Sequence, residues 1–456
     1  MTLRAAYEHI QAGRITEAEA ALAAATDADP FERLTVQAGL RMKLRDFAGA
    51  LGILDEAARI RPADFTVHFN AGLCLYESGR FVEACEAYER SLYANAGYAK
   101  AWMKLGGAHL PRAEFSEALA CHERAVGLDP LDAELRIALG TTISLFGDDA
   151  GAEAQFRRAL ELNPDAFEAK VALGFVLLRA GKWEEGWKRF EARWQIRPFG
   201  AAWDYQPRPF WTGRESELRD KTVLLLAEQG HGDTIQFLRY APLVAKRAKS
   251  TTVAVPPSLV RLACSMGLRA VSNAEPLPEA EIVTSLMSLP GIFGTTTDRV
   301  PPPAAFKVSS VPIGAWLGLC WHGGAREYDP MANADDRRRS VSWEEFDRLA
   351  CVVNCISLQQ EQLQPVDWLD TAEWIKGLKL VITVDTAVAH LAASLGVETW
   401  LLARAGGCWR WLSKGDRTPW YPSMRIYRQE TLCDWRPTIA RVEADLKAWA
   451  AKHAGQ

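Results

Sequence analysis

The sequence predicts a helical repeat solenoid followed by an α/β region built on two parallel sheets. Three observations predict it. Glycines recur at Gly39, Gly72, Gly106, Gly140 and Gly174, one step of 33 residues and then steps of 34. After about residue 196 the helical periodicity gives way to short apolar runs alternating with helical stretches. Several of those runs end in Gly-, Asp- or Thr-bearing turns, as in Gly230-His231-Gly232-Asp233 and Asp385-Thr386-Ala387.

The repeat rests on several positions that keep phase together. Turn residues recur at Pro30, Pro62, Ala96, Pro130 and Pro164. Small residues stand at Ala84, Ala118 and Ala152, large rings at Tyr88, His122 and Phe156, and small residues again at Ser91, Ala125 and Ala159. This pattern resembles the tetratricopeptide repeat. Each unit is then two helices that touch through Gly and Ala, with a ring filling the space beside them and Pro ending the unit because it cannot continue a helix. One unit cannot bury its apolar face alone, so the units stack into a curved solenoid with a concave groove for a peptide or protein. Asn70, Lys100 and Lys104 fall at groove positions by phase, and solvated helix surface is the alternative for all three. Trp183 and Trp187 in the last unit either cap the stack or pack in an ordinary core.

The expected organisation is a solenoid over 1–196, a linker over 197–220, an N-terminal Rossmann-like domain over 221–312 on the acceptor side, and a C-terminal one over 313–456 on the nucleotide-sugar side. The linker carries Pro198, Pro207 and Pro209 among Trp203, Tyr205, Phe210 and Trp211. Strands are predicted at Thr222–Leu226, 252–255, 281–283, Trp316–Trp321, 352–358, Leu380–Val384 and 399–402, and a helix from Thr234 to Ala248. Strands that alternate with helices imply parallel sheets with right-handed crossovers. Two such sets imply two Rossmann-like domains facing a cleft, with ligands at the carboxyl ends of the strands.

Composition sets the bounds. The 456 residues are 48% apolar and 24% charged, as in a soluble globular protein with material for large cores. A net charge of −4 argues against binding nucleic acid by phosphate neutralisation. The nine cysteines are odd in number and form no CxxC, which fits free thiols in a reducing, cytoplasmic setting. The first residues form no apolar leader, and no apolar run approaches the length of a membrane span.

Four loops at predicted strand ends carry the candidate chemistry. In the first, Gly230 and Gly232 allow a tight turn, and Asp233 is either a helix N-cap or a general base above the cleft. In the second, Gly323 frees backbone N–H groups for an anion, and His322 contacts a phosphate or fills the loop. Arg337, Arg338 and Arg339 either clamp a diphosphate or form a solvated charge run. In the third, Asp385, Thr386 and Ala387 start a helix whose N–H groups form an anion site, with an ordinary N-cap as the alternative. His390, one turn on, hydrogen-bonds the loop or braces Asp385, with a catalytic role as the alternative to this structural one. In the fourth, Trp409, Trp411, Trp420 and Tyr421 pack, or stack on a sugar or base. No cluster of His, Asp or Glu has metal-ligand spacing.

Together these loops resemble the bacterial heptosyltransferase family of GT-B glycosyltransferases over about residues 221–445. Gly232-Asp233 matches the family's Gly-Asp turn after the first strand. Asp385-Thr386-Ala387-Val388-Ala389-His390 matches its Asp-Thr-[Gly/Ala]-x-x-His segment. The resemblance implies a GT-B fold, Asp233 as catalytic base, and Thr386 and Ala387 N–H groups binding donor phosphate. Asp385 would contact the donor sugar, and Gly230, Gly232, His322, Gly323, Arg339 and His390 complete the expected donor side. The chain departs from the family in carrying an arginine, Arg339, where a lysine is usual. Its Trp409-Arg410-Trp411 and Trp420-Tyr421-Pro422 segments look like the branch fused to tetratricopeptide repeats. In plan it is similar to protein O-glycosyltransferases, including bacterial flagellin glycosyltransferases. The implied function is an inverting, metal-independent transfer from a nucleotide sugar, with no cofactor, to a protein Ser or Thr hydroxyl held by the repeats, with flagellin a candidate acceptor. Two other readings stand beside it: a repeat scaffold with a degenerate transferase domain, and a transferase acting on lipopolysaccharide or another glycan.

Overall fold

The structure is a computed structural model that describes residues 3–196, 211, 213–324, 336–363 and 365–454. Of the linker residues, Pro198, Trp203, Tyr205, Pro207, Pro209 and Phe210 lie outside the described residues.

Helices pair from the start: α1 (Leu3–Gln11) with α2 (Ile15–Ala24), α3 (Pro30–Lys43) with α4 (Phe47–Ile60), α5 (Phe65–Glu77) with α6 (Phe81–Ala94), and α7 (Ala99–His109) with α8 (Phe115–Leu128). Then come α9 (Ala133–Leu145), α10 (Asp149–Leu162), α11 (Phe167–Arg179) and α12 (Trp183–Phe190). The phased residues do what their sizes require. Ala84, Ala118 and Ala152 are wholly buried, and Tyr88, His122 and Phe156 nearly so. A Cβ on Gly72 would come within 2.5 Å of the Tyr88 ring, so the ring and the glycine hold each other's place. The first pair, α1 and α2, lacks the glycine and the ring, which is why the period does not reveal it. Pro30 does not end a unit. It opens α3 at N1, where its missing N–H costs nothing, with Asp29 accepting from the Glu32 N–H.

The chain forms two compact units. Among the described residues, the first holds 3–142 and 161–164. The second begins at Ile143 and holds the last helices of the repeats together with both sheets.

In the second unit, β1 (Thr222–Leu226), β2 (Ser250–Val255), β3 (Arg269–Ser272) and β4 (Ile282–Ser285) form a parallel sheet in the order β3-β2-β1-β4. A second parallel sheet has the order β6-β5-β7-β8-β9, from β5 (Leu317–Cys320), β6 (Cys355–Ser357), β7 (Leu380–Val384), β8 (Glu398–Ala403) and β9 (Met424–Arg428). Every residue of β7 is buried, Thr383 included, as a nearly unbroken apolar run demands. The edge strands β3 and β9 escape the sequence reading because each mixes polar with apolar residues, Arg269 and Ser272 in β3 and Arg425 and Arg428 in β9. The expected helix from Thr234 to Ala248 is broken into α13 (His231–Phe237), a 3-10 turn and α14 (Ala241–Ala245), where Pro242 lacks the N–H that a continuous helix needs. The expected strand at 352–358 shrinks to Cys355–Ser357, because a helix over Trp343–Ala350 ends just before it.

One hydrophobic core joins the end of the repeats to both sheets. It contains Trp183, Trp187 and Phe190 beside Val223, Leu225, Val381 and Leu401, with Trp409, Trp411, Trp420 and Tyr421 between them. Trp183 stacks on Trp420 with ring centroids 4.9 Å apart, and Trp187 meets Trp409 edge-on at 5.2 Å. The fourth loop's aromatics are therefore packing residues, each at most 3% exposed, with no face left for a sugar or base.

The buried ring of His122 makes the first unit sensitive to acid. It donates or accepts at Thr142 Oγ1 (2.8 Å) and the Met103 carbonyl (3.0 Å), and burial pushes its pKa down from 6.5 to about 4. A folded-state pKa below the unfolded one means that the unfolded chain binds the proton first. The neutral ring therefore contributes stability above about pH 6.5, roughly 3 kcal/mol, that is lost as pH falls towards 4. Thermal unfolding of wild type and His122→Phe from pH 7.5 to 4 should show the steeper decline in wild type. The shared core decides where the chain can be cut. Truncating a large buried aromatic costs about 3–5 kcal/mol, so losing Trp183, Trp187 and Phe190 together exceeds the stability of an ordinary domain. A chain starting at residue 143 should unfold cooperatively in calorimetry, and one starting at 197 should aggregate.

Candidate functional site

In each sheet of the second unit the chain reverses its direction of strand addition once, at β1/β4 and at β5/β7. Such switch points open a crevice at the carboxyl ends of the strands. The first and third candidate loops stand at these two places.

After β1 the chain turns through Gly230 into α13. Asp233 is half-buried at its third position, and the Gly230 N–H donates to Asp233 Oδ2 at 2.9 Å. Its other oxygen, Oδ1, accepts from Arg410 Nη2. Arg410 is 7% exposed and is held by Gln236 Oε1 at 2.5 Å and by the Trp409 ring at 4.3 Å. Burial works against its charge, but Asp233, Cys408 and Asp385 together outweigh it and raise its pKa. Asp233 from the first sheet and Asp385 from the second thus act on the same guanidinium.

On the second sheet, Thr386 stands at the N-cap of α19, which we number after α15 (Val260–Cys264), α16 (Leu289–Ile292), α17 (Trp343–Ala350) and α18 (Trp368–Lys376); α19 itself spans Ala387–Ser394. Its side chain makes no cap hydrogen bond. The hydroxyl instead lies 3.2 Å from Thr383 Oγ1 and 3.7 Å from Cys320 Sγ. Arg339 sits where expected along the chain, beside this turn: Nη1 donates to the Asp385 carbonyl at 2.9 Å and Nε to Asp336 Oδ1 at 2.7 Å. A Cβ on Gly323 would run into Arg339 Nη2 and Asp336 Oδ1, so only glycine lets that ion pair lie across the end of β5. Asp385, Thr386, Ala387, Gly323 and Arg339 are therefore gathered at one switch point.

His322 and His390 are placed differently. His322 Nε2 pairs with Glu361 Oε1 at 2.9 Å, and Nδ1 lies 2.8 Å from the Gly323 carbonyl, so this ring fastens its own loop. His390 is buried, stacks on Trp411 at 5.0 Å and bonds Tyr421 OH through Nδ1 at 3.0 Å. Burial first, and then Arg410 and Arg239, push its pKa well below 6.5, so it stays neutral. Grouped by sequence with the donor-binding residues, His390 packs between helices instead. Gly232 serves the same contact. A Cβ there would stand 2.8 Å from His390 Cδ2 and 3.4 Å from the Ala387 Cα, so Gly232 lets α13 meet α19 rather than a ligand.

Arg410 and Gln236 were not singled out from the sequence. The available signal was a lone arginine between two tryptophans, Trp409-Arg410-Trp411, following a buried strand; a charge so flanked must be paired.

A profile of the tetratricopeptide repeat family matches residues 35–100 and 146–201. The N-terminal repeats are tetratricopeptide repeats. The chain is 24% identical over 509 aligned positions to Protein FlbA of Caulobacter vibrioides, covering 90% of this chain and 83% of that protein. It is 28% identical over 200 positions to the Protein CTR9 homolog of Arabidopsis thaliana, covering 42% of this chain and 18% of that protein. Among solved structures, TTC0263, a thermophilic TPR protein of Thermus thermophilus, is 22% identical over 39% of this chain and 97% of its own, with a TM-score of 0.35. No described helix is long and apolar enough to cross a membrane.

The last tetratricopeptide helix continues into a 3-10 turn that reaches the first switch point. Arg193, wholly buried, donates to Glu228 Oε1 at 2.6 Å and Oε2 at 3.1 Å and to Ser288 Oγ at 2.8 Å. Glu228 stands between β1 and Gly230, and it also accepts from Ser285 at the end of β4. Burial opposes the charge on Arg193, and Glu228 and Glu191 overcome it. The repeats thereby fix the loop that leads to Asp233.

The contact at Gly232 can be tested directly. His390 is pinned on two sides and cannot yield, so Gly232→Ala overpacks the junction of α13 and α19. It should lower stability by about 1–3 kcal/mol, read as a drop in Tm, and His390→Ala in the same chain should recover part of it.

Proposed function

We propose that the second unit is a glycosyltransferase and that the tetratricopeptide array presents its acceptor. The reading takes the donor to be a nucleotide sugar, the acceptor to be a Ser or Thr hydroxyl of a protein, with flagellin a candidate, and the reaction to be inverting and independent of a bound metal. The observation that carries it is that the two switch points meet: Asp233 from one is paired with Arg410, and Gly232 beside it packs against Ala387 of the turn Asp385-Thr386-Ala387 from the other.

The chemistry follows from the atoms. Each Asp233 oxygen accepts one hydrogen bond, from the Gly230 N–H and from Arg410, and a carboxylate oxygen has room for a second. An acceptor hydroxyl at Asp233 gives up its proton as its oxygen attacks the anomeric carbon. The bond from that carbon to the donor phosphate breaks on the opposite face, which inverts the centre. The departing phosphate carries new negative charge. Arg339 and the uncapped start of α19 are the groups suited to receive it. Such preset donors need no rearrangement at the moment of reaction.

Asp233→Asn keeps the size and the ability to accept from Gly230 but removes the base. It should leave the affinity for nucleotide sugar within about threefold and lower kcat by about 10²–10⁴-fold. Binding is checked by calorimetry and transfer by mass spectrometry of the acceptor; full activity in this variant would sink the assignment. The chain starting at residue 143 serves the acceptor question, because it keeps the shared core. Loss of transfer to intact protein, with donor hydrolysis retained, supports a protein acceptor held by the array.

A further inference from the structure

The loop that carries Arg410 leaves β8 and runs from residue 404 to 414. Its path is set from outside the sheet. Gly406 has φ +56°, and a Cβ there would run into the Leu145 carbonyl, so the loop lies directly against the end of α9. Beside it, Arg179 closes α11. It is 5% exposed, and its planar fork is fully used: Nη1 donates to the Gly407 carbonyl at 3.2 Å, Nη2 to Ser144 O at 3.1 Å and Ser144 Oγ at 2.9 Å, and Nε to Asp149 Oδ1 at 2.6 Å. The Arg179 carbonyl accepts in turn from the Ser413 N–H at 2.9 Å.

Arg179 therefore grips the loop three residues before Arg410, at Gly407, and three residues after it, at Ser413. Between these grips the chain passes through Trp409 to Trp411 and through Leu412, whose φ of +57° is costly for a branched side chain. On the outer side lies a cavity of about 500 Å³ lined by Asp148, Glu153, Lys182, Leu412 and Lys414, so side-chain packing does not hold the loop from there. On the inner side Arg410 reaches Asp233 and Gln236.

We infer that Arg179 is a positioning residue for the site: its backbone carbonyl anchors Ser413 and its side chain fixes Gly407, and that side-chain grip sets Arg410 on Asp233. The last full repeat is thus part of the site's framework. The catalytic consequence rests on the glycosyltransferase reading; the structural consequence does not. Lysine cannot replace the fork, because an ammonium lacks the planar set of donors that reaches Gly407, Ser144 and Asp149 together.

The test uses the full chain with Arg179→Ala, Arg179→Lys and Ser144→Ala, the last removing a single bond should the first fail to fold. Hydrogen exchange is read at the amides of 405–413, and steady-state transfer with a donor active in a panel of ADP-, CMP-, GDP- and UDP-sugars. We expect exchange in 405–413 to rise by about tenfold or more in Arg179→Ala, less in Ser144→Ala, with β1 and β7 unchanged. We expect kcat to fall about tenfold with donor KM within about threefold, no rescue by lysine, and Arg410→Ala to cost less than about threefold more on the Arg179→Ala background. Unchanged exchange at 405–413, or additive losses for the two arginines, would overturn the inference. If no donor in the panel is transferred by the wild-type chain, the functional reading fails and the exchange result alone decides whether Arg179 holds the loop.

Discussion

Trp183 and Trp187 have to be covered, and much of the second unit follows from that. A repeat array ends in a helix whose outer face lacks a following unit, and such arrays commonly close with a polar face. Here the last helix does the opposite. It offers two indoles, which bury against Trp409 and Trp420, with Phe237 packed on Trp420 behind them, in the core shared with both sheets. Aromatic contacts of this geometry add to the large area that each ring removes from water. The sheets could not take up these rings without the loop 404–414 and the segment around Trp420 folding inward, and that inward fold brings Arg410 to Asp233.

The buried charges need a different explanation. Arg193 with Glu228, and Arg410 with Asp233, are each largely removed from water. Taking two ions into the interior costs several kcal/mol apiece, and their attraction does little more than repay it. Neither pair therefore accounts for the stability of the fold, which the aromatic and aliphatic core supplies. What they supply is direction. A guanidinium with its donors fully engaged permits few placements of its partners, and these two fix the loop after β1 from both sides, Glu228 before it and Asp233 after it. A ligand in the crevice would meet a carboxylate whose position is already set, which is the condition for fast proton transfer.

Much of the fold was legible because it depends on period. The 33- and 34-residue steps follow from the size of a helix pair, and β1 and β7 were read to the residue because a buried parallel strand reads as a nearly unbroken run of apolar and β-branched residues. What escaped depends on tertiary neighbours. The pair α1 and α2 packs without the glycine and the ring, and β3 and β9 gain their strand character from a single neighbour in the sheet. In the site, Asp233, Asp385, Thr386 and Arg339 were visible as polar residues at strand ends. Arg410 was not, because it enters the site from a loop 177 residues further along the chain from Asp233, and only the shared core brings it there. His390 was visible as a residue bracing its turn, and its burial against Gly232 and Trp411 makes it a spacer between helices.

The turn at Thr386 shows why a local pattern cannot separate capping from anion binding. A threonine before a helix satisfies an early N–H with its own hydroxyl when nothing else competes for that hydroxyl. Here Thr383, buried at the end of β7, and Cys320, buried at the end of β5, stand within reach and draw it to the sheet side. The helix start is left without its side-chain cap, and Arg339 lies across the same turn through the Asp385 carbonyl. The nearby guanidinium and the positive end of the helix dipole act on the same turn. The competition for one hydroxyl, settled by two residues that belong to neighbouring strands, is what leaves this helix start without its side-chain cap.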